Sequence, residues 1–170
     1  EQAPFNDPSW DIWGLGSGFT RLPRWDVWFE LHRLEDVCKT WAPGNEAQEA
    51  ASRAAYIEWM SQQTKPVVLR EARDEVPNAQ VFPLQAVMAQ TTYPYWTNTV
   101  SWLIGLAIAE GVEAIGIWGV DMELDSEYGT QRPSCEYLLG IAEGRGIQVV
   151  IPDTSALLKS RKLYGFMEDD

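Results

Sequence analysis

Residues 97–121 read TNTVSWLIGLAIAEGVEAIGIWGVD, and the fold turns on this stretch. Thr97, Asn98 and Thr99 offer a side-chain oxygen to the first free N–H groups of a helix, the usual start signal. The apolar run that follows reaches Gly111, a residue suited to the left-handed turn that ends helices. Its apolar character nearly all the way round predicts a helix over 97–111 buried against a sheet. Residues 114–120 then predict an unbroken apolar strand, and Asp121 ends it abruptly. A helix leading straight into such a strand is half of a parallel crossover unit, because strands buried on both faces are written as continuous rather than alternating apolar runs.

Outward from there the same grammar repeats. Strands are expected at 10–15, 26–32, 66–71, 79–84 and 147–151. Helices are expected at 35–41, 46–63 and 134–145, with a short one at 155–162. The 46–63 helix is read with its buried stripe on Ala50, Ala54, Ile57 and Met60 or Trp59. Alternating strands and helices with right-handed connections predict an α/β Rossmann-like three-layer sandwich with a mostly parallel sheet. The 170 residues suggest a single domain over 1–170, long enough to bury a core without metal or disulfide.

Composition narrows the function classes. Hydrophobic residues make up 45% and charged residues 22%, an ordinary globular mixture. The formal net charge of −12 argues against strong binding to duplex nucleic acid, which needs cations to neutralise phosphates. It leaves room for a small phosphorylated ligand or nucleotide, for which a few local cations and a helix start suffice. Two distant cysteines, Cys38 and Cys135, fit a reduced cytoplasmic protein. The most apolar stretch, 100–109, is too short to span a bilayer, so no membrane role is expected. The opening residues resemble no signal peptide. Self-association into a homo-oligomer is left open.

In parallel α/β sheets, ligands sit beyond the carboxyl ends of the strands. Those ends carry Gly14, Gly16, Ser17 and Gly18; Glu30, His32 and Arg33; Arg70 and Glu71; Asp121; and Asp153. GLGSG at 14–18 is either a phosphate-cradling loop or a flexible turn, and it is not the GxGxxG pattern. His32 is the only histidine. It is either a general base or acid or a hydrogen-bonded strand-end residue. Asp121 is either a Mg²⁺ or ribose ligand or a turn former. Arg132, with Tyr128 and Gln131, either grips a phosphate or carboxylate or pairs with Glu127 or Glu136. Glu123, Asp125 and Glu127 read as a solvated acidic loop. One histidine and two scattered cysteines make no zinc site. The nine tryptophans read mainly as core, with Trp13, Trp96 and Trp118 best placed to stack on a base or sugar.

The segments DIWGLGSGF, WDVWFELH, TNTVSWLIGLAIAEGVEAIGIWGVDM and YGTQRPSCEYLLGIAEGRGIQVVIP together resemble a group of Rossmann-like proteins of bacteriophage and prophage genomes. The helix followed by IGIWGVDM also resembles the MptE-like family, which includes 6-hydroxymethylpterin diphosphokinases and is related to bacterial sialyltransferases. That resemblance implies Asn98, Thr99 and Ser101 at a helix start facing a nucleotide, with Asp121 as the acidic residue at the strand end. His32 falls where that family often has an acidic or polar residue. The family's opening strand, with its Gly-Pro-Ser-type loop, is not found from Glu1 onward, so either the sequence is a fragment or that first strand is missing from it. The function expected is a nucleotide- or nucleotide-sugar-dependent transferase of phage or bacterial origin, acting in the host cytoplasm if phage-encoded. His32 would act as base, Asp121 would hold Mg²⁺ or ribose, and Gly14, Gly16, Ser17, the 97–101 helix start and Arg132 would hold the ligand. The alternatives are a small-nucleotide-binding protein without turnover and a structural or assembly protein.

Overall fold

The computed structural model describes residues 2–39, 45–122 and 127–160, apart from the side chains of residues 127 and 128. The chain divides into two compact units, Pro4–Phe82 and Pro83–Asp170 with Glu1–Ala3.

The first unit contains β1 (Trp13–Leu15), β2 (Val27–Glu30), α1 (Glu46–Ser61), β3 (Val67–Leu69) and β4 (Gln80–Val81), with a 3-10 turn over Gly16–Thr20. All four strands are parallel, in the order β1-β2-β3-β4. Glu30 is paired in register with Leu69, and Leu15 with Phe29. The inner strands β2 and β3 are the buried ones, which is why VWFE and VVL are nearly all apolar. Neighbours in the sheet are neighbours in the chain, so this sheet has no reversal of strand order of the kind that opens a crevice.

Helix α1 begins at Asn45, whose side chain accepts the Gln48 N–H at 3.0 Å. Its buried residues are Tyr56 and Met60, with Ile57 packed beside them, so the expected stripe holds at Ile57 and Met60 and fails at Ala50 and Ala54, which are exposed. An alanine methyl offers little area, and the large Tyr56 ring decides which face turns inward. Trp28, Trp59, Trp25 and Phe19 crowd against it, with the Trp28 and Trp59 rings 5.0 Å apart and nearly perpendicular. The expected helix at 35–41 is a run of turns through residue 39, and residues 40 and 41 lie outside the described part. Cys38 has φ +68°, which breaks a helix.

The second unit holds α2 (Leu84–Met88), α3 (Thr99–Glu110), β5 (Ala114–Gly116), α4 (Arg132–Gly144) and β6 (Gln148–Val150). β5 and β6 pair in parallel, Ile115 opposite Val149. Asn98 caps α3 and Gly111 ends it at φ +68°. Gly105 is required where it stands, because an added Cβ would come within 2.6 Å of the Trp96 ring. The strand expected to reach Val120 stops at Gly116, although the Ile117 N–H still donates to the Val150 carbonyl at 3.0 Å. Gly119 at φ +71° and Met122 at φ +52° then curl the chain away from strand geometry. The helix expected from Ser155 is absent among the described residues: turns run to 158, with Leu158 at φ +55°, and residues 161–162 lie outside that part.

The chain is thus an α/β protein built on parallel strands, with α1 crossing from β2 to β3 and α4 from β5 to β6. No helix among the described residues is long and apolar enough to cross a membrane.

Candidate functional site

Glu30 is the last residue of β2, and the alternation of that strand turns its carboxylate inward, where it is 3% exposed. A buried carboxylate is costly unless its oxygens are satisfied. Here Oε1 accepts the His32 N–H at 3.0 Å and meets His32 Nδ1 at 2.6 Å, while Oε2 accepts the Tyr56 hydroxyl at 3.2 Å. Tyr56 in turn accepts the Trp28 indole N–H at 2.7 Å. Four residues therefore form one chain, Trp28–Tyr56–Glu30–His32, running from the centre of the core to solvent.

His32 is the open end of that chain, its side chain 65% exposed. With Glu30 ionised, Nδ1 carries the proton and Nε2 is left to face a ligand. The hydrogen bond to Glu30 raises the imidazole pKa above its ordinary value; burial opposes this, and the charges of Glu30 and Asp36 add to it. The ring therefore holds its proton more firmly than an ordinary imidazole. Burial and the Glu30 charge push the Tyr56 hydroxyl pKa upward, so Tyr56 stays a neutral donor. The same two causes push the Cys38 thiol up to about 11, so this cysteine is no ready nucleophile.

The loop that follows His32 is tied down from two sides. Arg73 reaches Glu35 at 2.6 Å and Glu75 at 2.9 Å, and Arg53 of α1 donates to the Glu35 carbonyl. Arg33 and Arg70 are exposed. Arg70 directly follows Leu69, the register partner of Glu30, so it extends the same carboxyl edge. Gly16 and Ser17 follow β1 on the other side of β2, with Ser17 exposed. Gly14 has a different purpose. An added Cβ there would lie 2.3 Å from the Trp28 ring, so the glycine admits the indole to the core.

A shallow concavity of about 340 Å³ lies elsewhere in this unit, lined by residues including Met60, Gln63, Lys65, Val67 and Asn78. Val67 begins β3, which puts this hollow at the amino edge of the sheet, opposite the titratable groups. It holds no acid–base pair, whereas the His32–Glu30 pair stands at the carboxyl edge.

The remaining expected site residues lie in the second unit. Asn98 Oδ1 accepts the Ser101 N–H at 2.9 Å, and its Nδ2 donates to the Gln131 carbonyl at 3.1 Å. Ser101 is wholly buried and its hydroxyl returns to the Asn98 carbonyl at 2.7 Å. Thr97 and buried Ser134 share a 2.5 Å hydroxyl contact. These polar groups bind one another and fasten the start of α3 to the start of α4, with half-buried Thr99 opening α3 beside them. Arg132 is mostly buried, pairs with Glu136 at 2.6 Å and donates to the Lys159 carbonyl at 3.0 Å. Asp121 Oδ1 accepts the Ala156 N–H at 3.1 Å. Among the described residues no three of His, Cys, Asp and Glu converge as a metal cage. The Tyr128 side chain, Glu123 and Asp125 lie outside the described part, as does the side chain of Glu127.

Of the tryptophans singled out for stacking on a ligand, Trp96 stacks on Trp102 with centroids 4.4 Å apart, and Trp13 packs on Phe29 at 5.0 Å. Trp118 is half-buried. Sequence reading missed Glu30 and Tyr56 as site residues. The signal for Glu30 was present, since a charged residue closing an apolar strand must find a partner and His32 is two positions away. Compared with protein-family models, curated proteins and solved structures, the chain matches none of them.

Proposed function

We propose that the chain is a group-transfer enzyme acting on a nucleotide or nucleotide sugar, with His32 as its acid–base residue. The observation that carries this reading is the 2.6 Å contact between the exposed His32 ring and the buried Glu30 carboxylate at the carboxyl end of an inner parallel strand. A buried carboxylate fixes the ring's tautomer and orientation and stabilises the imidazolium, which is what an acid–base histidine requires. Its raised proton affinity fits donation to a departing phosphate oxygen, with the neutral form regenerated as base. Arg33, Arg70 and the Gly16–Ser17 backbone flank the same edge and suit the charge of a diphosphate. A Mg²⁺ carried in on the phosphates would take its ligands chiefly from them and from water. No step is assigned to it. Asp121 and Arg132 are left to their contacts with Ala156, Glu136 and Lys159.

The test is incubation with nucleoside triphosphates and with uridine, cytidine and guanosine diphospho-sugars, each in water alone and with a set of hydroxyl-bearing acceptors to receive the transferred group, products being read by mass spectrometry. Product that disappears in His32→Ala and falls at least tenfold in Glu30→Gln is expected. Nucleotide that binds and is recovered intact from every mixture would overturn turnover in favour of simple capture.

A further inference from the structure

Tyr56 belongs to α1 and never meets solvent, yet it shares a carboxylate with the one exposed histidine. We propose that Tyr56 is a positioning residue for His32: held by the Trp28 indole N–H, its hydroxyl fixes Glu30 so that one oxygen is kept for Nδ1. The inference rests on the reading of His32 as the acid–base residue.

The geometry supports it link by link. A carboxylate at a strand end can rotate about its last bond, and the contacts with His32, both on Oε1, leave Oε2 unheld. Glu30 has contacts on both oxygens, two to His32 and one to Tyr56. The Tyr56 contact is the only one of these whose donor side chain is itself buried. Tyr56 cannot swing, because its oxygen is held by Trp28 at 2.7 Å and its ring lies among Phe19 and Trp59. The hydroxyl spends its proton on Glu30 and a lone pair on Trp28, so its orientation is settled. Among the described residues Cys38 also lies close to Glu30 and is a neutral thiol near neutral pH; Arg53 acts on Cys38 and Asp36 on His32. None of these replaces the hydroxyl as a donor to Oε2.

Because His32 is the sole histidine, its ring nitrogens can be followed by ¹⁵N NMR without overlap. In Tyr56→Phe, with the fold checked by circular dichroism, a population with the proton on Nε2 should appear. The titration midpoint should fall toward the ordinary imidazole value of about 6.5. A midpoint that rises, as it would if the hydroxyl only drained charge from a carboxylate held by other means, overturns the positioning role. So does a spectrum identical to that of the parent. Should the phenylalanine variant unfold, 4-fluorophenylalanine at position 56 fills the space of the hydroxyl without donating. The same Nε2-protonated population and falling midpoint are then expected, and a midpoint that rises or a spectrum like that of the parent overturns the proposal. None of these readouts needs a substrate, so they stand or fall separately from the transferase reading. That reading fails instead if His32→Ala leaves product formation intact.

Discussion

Glu30 Oε1 and His32 Nδ1 stand 2.6 Å apart, one group buried in the core and the other open to solvent. The pair joins a structural demand to a chemical capacity. The carboxylate needs the ring because burial would otherwise leave it without a cation, and the ring gains a fixed tautomer in return.

The titration of His32 should make that exchange measurable. A histidine whose folded pKa is raised contributes stability that is fully present below the unfolded value, about 6.5. That contribution is lost as pH rises through the higher folded value. Thermal melts from pH 6 to pH 9 should therefore show a fall in stability that begins above about 6.5. His32→Gln should flatten this part of the profile, and Glu30→Gln should bring the NMR midpoint down. A midpoint at or below the ordinary value in the parent would mean that the ion pair does not persist in solution.

Gly14 looks like part of a ligand loop in the sequence and like packing in the structure. A methyl group there would sit 2.3 Å and 2.4 Å from two carbons of the fully buried Trp28 ring. Overpacking of this kind costs about 1–3 kcal/mol. Gly14→Ala should lower the melting temperature accordingly while leaving the affinity of any nucleotide for folded protein unchanged. Weaker binding with an unchanged melting temperature would restore the loop to the site.

The same distinction applies to Asn98. Its side chain caps α3 and also bonds the Gln131 carbonyl at the start of α4. Losing an N-cap costs about 0.5–2 kcal/mol. Asn98→Ala should therefore lower stability by that amount or somewhat more, as read by urea unfolding. A variant as stable as the parent but deficient in nucleotide binding would show that the helix start faces a ligand after all.

What could be read from the sequence was whatever local chemistry decides. The bounds of α3 follow from Asn98 and Gly111, and the parallel sheet follows from apolar runs such as Val67–Leu69, although residues 26–32 read as a strand with mixed faces. The failures were of two kinds. The helix expected at 35–41 meets Cys38, whose positive φ no apolar pattern announces, and the strand expected at 114–120 stops at Gly116 because its partner β6 ends at Val150. At the site, the sequence marked His32 but could not connect Glu30 with Tyr56, which lies 26 residues away. That contact depends on how α1 is rotated over the sheet, and the expected stripe was right at Ile57 and Met60 but wrong at Ala50 and Ala54. Polar residues at helix starts were equally ambiguous: Asn98, Ser101 and Arg132 have the chemistry of a phosphate site and spend it on one another's segments.

Arg70 offers the sharpest test of where a ligand sits. It is exposed and follows the residue paired with Glu30, at the same edge as His32, while Arg132 is committed to Glu136 and Lys159. A hydrogen bond to a charged group contributes about 1.5–3 kcal/mol, which is roughly a 10- to 150-fold change in dissociation constant. Arg70→Ala should weaken nucleotide binding within that range and leave the melting temperature of the ligand-free protein nearly unchanged. Arg132→Ala should do the reverse, lowering the melting temperature because Glu136 and the Lys159 carbonyl lose their partner. Thermal shift of each variant with and without a nucleoside diphosphate separates the two. If Arg132→Ala abolishes the ligand-induced shift and Arg70→Ala keeps it, the binding edge belongs to the second unit and His32 is not the residue that meets the ligand.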